Sequence, residues 1–147
     1  MGAVLALFCI AAGCGGDDSD PEADAVSEAY VAYIDAVKAG DGKKACAMTT
    51  PEFQRQAGRS VAVGPRADLR DASCEEAIEQ GSLAQLQQVE PNLEDIEVNG
   101  DRASGLDPGE TVPVEGQSVV IGPQEVFFER LGGDWKIART VFFEQEG

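Results

Sequence analysis

The residue types that carry covalent and acid–base chemistry are few in this chain, and histidine is missing from all 147 positions. Without an imidazole, Ser-His-Asp and Cys-His nucleophile arrangements and histidine-bound metal centres are excluded. Four thiols remain, Cys9, Cys14, Cys46 and Cys74, together with two phenols, Tyr30 and Tyr33. A thiol can be acylated, oxidised to a disulfide or used as a metal thiolate, but the chain has no CxxC pair, which argues against the last. Among the carboxylates closest in sequence to a site, Asp35 follows Ile34 on a helical stretch, Asp95 and Asp101 flank a hairpin and Asp134 sits in a turn. None stands in an apolar strand context that would raise its pKa. No GxxxxGK or GxGxxG is present, and the glycine pairs 15–16 and 132–133 fall in a polar stretch and a turn. "DDSD" at 17–20 lacks the spaced ligands and terminal Glu of a calcium loop. No cofactor and no metal is therefore expected.

A net charge of −16 argues against partnership with nucleic-acid phosphates and favours a soluble, monomer-prone surface. The charge is uneven: residues 38–70 hold seven of the eleven basic side chains against three acids. Ordinary compensation of acidic neighbours explains that block, with a basic face toward anionic headgroups as the sharper alternative.

The thiols separate by position. In "FCIAAGCGGDDSD", residues 8–20, an uncharged apolar run ends at a cysteine and passes straight into glycines and aspartates. Ala3–Ala12 is about half the length of a bilayer-spanning helix and has the shape of a secretory signal core. "AAGC" at 11–14 resembles the lipobox of bacterial lipoproteins, in which the thiol is acylated and the bond before it is cut. The resemblance implies a signal peptide over 1–13, a lipidated tether over 14–23 anchored through Cys14, and a single domain over 24–147. It also implies export to the outer face of the cytoplasmic membrane, with the membrane as a partner. The competing reading, a buried amino-terminal helix that happens to hold cysteines, is opposed by the Gly/Asp/Pro-rich stretch that follows. Cys9 would be discarded, leaving Cys46 and Cys74 as an even pair in an oxidising compartment. These two are expected to be bonded, with two buried free thiols as the alternative.

The elements that must position these groups divide into two halves. Val26, Tyr30, Tyr33, Ile34 and Val37 recur at helical spacing, predicting a helix over about 23–39 that stops at Gly40. "DGKKACAM" predicts a short helix turning Cys46 inward, and Thr50-Pro51 opens another. Ser73 and Glu76 have capping-box spacing, so a helix ending at Gly81 carries Cys74 on its first turn. "SLAQLQQ" adds a weak helical turn. From about residue 93 the period becomes two. Asn99-Gly100, Glu115-Gly116 and Gly132-Gly133-Asp134 mark three antiparallel pairings, with Trp135 and Ile137 on one face. Helices first and strands afterwards is an α+β pattern.

"AVKAGDGKKACAMTTPEFQ", "CEEAIE", "VNGDRA" and "LGGDWKIA" together resemble small actinobacterial lipoproteins of the nuclear-transport-factor-2-like (SnoaL-like, ketosteroid-isomerase-like) superfamily, over about residues 24–140. The resemblance implies a cone-shaped fold, in which N-terminal helices pack on a curved antiparallel sheet and leave a pocket at the open end. Isomerases of that superfamily use a tyrosine from the first helix and pocket aspartates, which implies Tyr30 or Tyr33 as a donor. Two functions follow as expectations. One is a non-catalytic, lipid-anchored envelope protein that binds a small apolar ligand or an envelope protein, with Tyr30, Tyr33, Phe128 and Trp135 as pocket walls and no catalytic residue. The other is an isomerase-, dehydratase- or cyclase-like enzyme using a tyrosine and an aspartate. They differ in whether a carboxylate lies within hydrogen-bonding distance of the space facing either tyrosine.

Overall fold

The computed structural model describes residues 20–61, 64–81, 86–114, 116–121 and 123–143. Helix α1 spans Pro21–Lys38. It starts inside the stretch expected to be tether because Asp20 caps it, accepting from the Glu22 N–H, and Pro21 supplies the preset φ of a first helical residue. Its buried face carries Val26, Tyr30, Ile34, Ala36 and Val37.

Three further helices pack at the C-terminal end of α1: α2 (Gly42–Ala47), α3 (Pro51–Val61) and α4 (Cys74–Gln80). A 3₁₀ segment, Gly64–Asp71, links α3 to α4. Ser73 and Glu76 form the expected reciprocal capping box at α4. Cys46 and Cys74 are bonded, with Cα atoms 6.1 Å apart, and lie in a small apolar cluster with Ala36, Val37, Ala45, Ala57, Ala77 and Ile78. Small side chains bring the backbones close: a Cβ on Gly42 would stand 2.6 Å from the Glu75 carbonyl oxygen. The weak turn expected over "SLAQLQQ" is a short 3₁₀ piece at Leu86–Gln88, and residues 82–85 lie outside the described residues.

The strands form a four-stranded antiparallel sheet in the order β1-β2-β5-β6, with β1 at Glu94–Asn99, β2 at Arg102–Asp107, β5 at Gln124–Leu131 and β6 at Asp134–Phe142. The hairpin β3–β4 (Glu110–Val114, Gln117–Ile121) is a separate pair inserted between β2 and β5. Gly100, Gly116, Gly132 and Gly133 all have positive φ, the conformation that tight hairpin turns demand. Ala103, Gly105, Val126, Phe128, Trp135 and Ile137 face α1, and most join Val26, Tyr30 and Ile34 in the main core. Near its middle, β6 is covered by the segment before α3, where the Ile137 N–H donates to the Met48 carbonyl and the Thr50 N–H to the Ile137 carbonyl, both at 2.9 Å. Among the described residues no helix is long and apolar enough to cross a membrane.

Candidate functional site

Helix α1 lays Tyr30 across the core-facing side of β2 and β5. The ring is 2 % exposed, and its hydroxyl donates a short hydrogen bond to Oδ2 of Asp107. Gln124, paired with Asp107 across the β2–β5 ladder, donates to the same carboxylate oxygen at 3.3 Å and to the Tyr30 oxygen at 3.4 Å. The other carboxylate oxygen accepts from the Gly109 N–H at 2.9 Å, closing the turn that leaves β2. Burial pushes the Tyr30 phenol well above its ordinary value, and the adjoining carboxylate pushes it the same way, so it stays protonated. Tyr33 is pushed up to about 12 by burial, and its ring meets Phe53 edge-on with centroids 6.3 Å apart.

Asp107 is not among the carboxylates singled out from the sequence. It continues the parity of Ala103 and Gly105 on β2 and therefore faces the core. The carboxylates weighed from sequence lie elsewhere. Asp35, Asp95, Asp101 and Asp134 are all exposed, with Asp95 at a positive φ of 48° within the irregular start of β1. The signal for Asp107 was the period-two spacing from the Asn99-Gly100 turn. Its pairing with Gln124, 17 residues on, carries no local signal.

The four aromatic residues expected as pocket walls all pack in or against one core: Tyr30, Phe128 and Trp135 are buried in it and Tyr33 lies on its edge. Trp135 is covered by the Arg130 guanidinium, 4.5 Å from the ring centre, and Arg130 is ion-paired with Glu22 of α1. Grooves mark the surface of the described residues. One of about 670 Å³ lies between the first turns of α3 and β5–β6, lined by Phe53, Phe127, Phe128 and Leu131 among others. A second of about 540 Å³ runs beside Trp135 and Lys136. A third of about 440 Å³ borders Asp107, Pro108 and Glu110. Neither tyrosine lines any of the three. Among the described residues no group of three or more Cys, Asp or Glu side chains is placed to hold a metal ion. Cys14, expected to carry the anchor, lies outside the described residues.

No family model matches the chain, and no curated protein matches it significantly. A solved structure does: a designed nuclear-transport-factor-2-like protein titled Rd1NTF2_05, in a variant with five substitutions. The match has a TM-score of 0.52 at 14 % identity and covers 83 % of this chain and 96 % of that one. At that identity the likeness gives the fold alone. The fold is α+β and nuclear-transport-factor-2-like, helices followed by a curved antiparallel sheet.

Proposed function

We propose that this protein is a lipid-anchored cell-envelope lipoprotein of the actinobacterial type, whose domain binds a small ligand or another envelope protein without catalysing a reaction. The observation that carries the non-catalytic part is the commitment of the Tyr30 hydroxyl. Its single proton is donated to Asp107, the ring is 2 % exposed, and Tyr30 lines none of the three grooves. A tyrosine that acts on a substrate must offer that proton to the substrate, in a space the substrate can enter. The anchor rests on "AAGC" at 11–14 and the polar tether behind it, and the Cys46–Cys74 bond fits an oxidising compartment.

Intact-mass analysis of the protein from its native membrane tests the anchor. The expected result is a chain beginning at Cys14 and heavier by acyl groups, with Cys14→Ser releasing the protein from membranes or leaving it unprocessed. A mass equal to unmodified residues 1–147 overturns it. A second reading, an isomerase-like enzyme, draws on one observation: Asp107 touches Tyr30 and also borders a recess. An enolate mimic such as 2-naphthol separates the two, since it perturbs Tyr30 in an enzyme and leaves it unmoved in a binding module.

A further inference from the structure

We infer that the groove between α3 and strands β5–β6 binds a single-chain amphiphile with an anionic head, its apolar body on Phe127 and Leu131 and its head among Arg55, Arg102 and Arg139. This rests on the binding-module reading and names the class of ligand. Phe127, Glu129 and Leu131 alternate with the core-facing Val126 and Phe128 along β5 and present the accessible side chains of the groove, while the buried Ala103 and Phe128 border it from the core side. At about 670 Å³ the groove has the size of a small-molecule site.

Its charge is what selects the ligand. The chain as a whole is strongly acidic, yet three guanidinium groups, Arg55, Arg102 and Arg139, meet two carboxylates, Glu52 and Glu129, around this groove. Among the described residues none of the three arginines forms an ion pair, although Arg102 and Glu129 are cross-strand partners. Arg139 is held by stacking, its guanidinium 4.2 Å from the centre of the Phe127 ring. A planar guanidinium suits a carboxylate or phosphate in bidentate geometry. The apolar part is equally specific: Leu131 is 41 % exposed beside the half-buried Phe127, a surface that gains by being covered. A cation would meet the arginines, and a wholly apolar molecule would leave them unpaired.

The test is nitrogen-15 NMR on the full chain with decyl phosphate below its micelle concentration, alongside decyltrimethylammonium and inorganic phosphate. Decyl phosphate is expected to shift the amides of Arg55, Arg102, Phe127 and Arg139, with neither control matching it. Arg55→Glu combined with Arg102→Glu is expected to weaken binding about tenfold. Both side chains are exposed, so spectra unchanged away from the groove report an intact fold. Vesicles of phosphatidylglycerol and phosphatidylcholine distinguish the source of the head. Arginine-dependent binding to the anionic vesicles assigns it to a lipid surface, and binding of the dispersed amphiphile alone assigns it to a free molecule. Equal response to the cationic amphiphile, or undiminished affinity in the charge-reversed variant, overturns the inference. Shifts confined to Tyr30 and Asp107 overturn the groove while sparing the binding reading, and chemical conversion of a bound ligand overturns both.

Discussion

Replacing Tyr30 with Phe keeps the ring and removes only the hydroxyl that links α1 to the sheet. Asp107 then retains Gln124 at 3.3 Å on one oxygen and the Gly109 N–H at 2.9 Å on the other, and its partial exposure admits water. A hydrogen bond to a charged acceptor contributes about 1.5–3 kcal/mol, and the surviving partners place this one at the lower end, about 1.5–2 kcal/mol. For a domain of this size that is a fall of roughly 5–8 °C in Tm. The opposite truncation, Asp107→Ala, strands a buried hydroxyl and costs about 2–3 kcal/mol. The double variant should fall short of the sum by about 1–2 kcal/mol. Urea unfolding followed by the fluorescence of Trp135, the one tryptophan, reads all four chains. Tyr30 is held protonated in the fold, so its contribution is complete below the unfolded phenol value near 10 and is lost as pH rises beyond it. The advantage of the parent over Tyr30→Phe should therefore hold constant from pH 7 to 9 and shrink by about 1.4 kcal/mol per pH unit above about 10. Equal stability at pH 7, or an advantage that grows above pH 10, refutes the reasoning.

Reducing the Cys46–Cys74 bond, which spans 28 residues, should cost about 3–4 kcal/mol, and equal melting of oxidised and reduced protein would contradict it. Gly42→Ala forces a methyl against the Glu75 backbone and should cost about 1–3 kcal/mol in urea unfolding, whereas a neutral change would mean that α2 and α4 separate freely. Phe128→Ala, at 1 % exposure, should cost about 3–5 kcal/mol, and a loss under 1 kcal/mol would show the core to be loosely filled.

What could be read from sequence was local. The Ser73–Glu76 cap, the Gly40 stop and the turns at Gly100, Gly116 and Gly132 each act within four residues, and each stands where its spacing puts it. The cysteine pair followed from parity of the remaining thiols, since each partner is carried on a short helix with its own start signal. Asp107 was missed because three distant segments make its surroundings: α1 brings Tyr30, β5 brings Gln124, and the β3–β4 hairpin intervenes. Arg139 stacks on Phe127 because the two are cross-strand partners beside the irregular register at Phe127 and Phe128, a pairing between separate strands that carries no local signal. The groove was invisible for the same reason. Its arginines come from three elements, and their sequence neighbours carry no shared pattern.

The central claim is that the Tyr30 hydroxyl is structural, and carbon-13 NMR of tyrosine labelled at Cζ tests it most directly. The chain has two tyrosines, so two resonances appear, and Tyr33→Phe assigns them. The account predicts that the Tyr30 signal keeps its protonated position past pH 10 and moves only when the chain unfolds. A reversible titration near pH 10 or below in the folded protein, or a shift when 2-naphthol is added at pH 7, would contradict it.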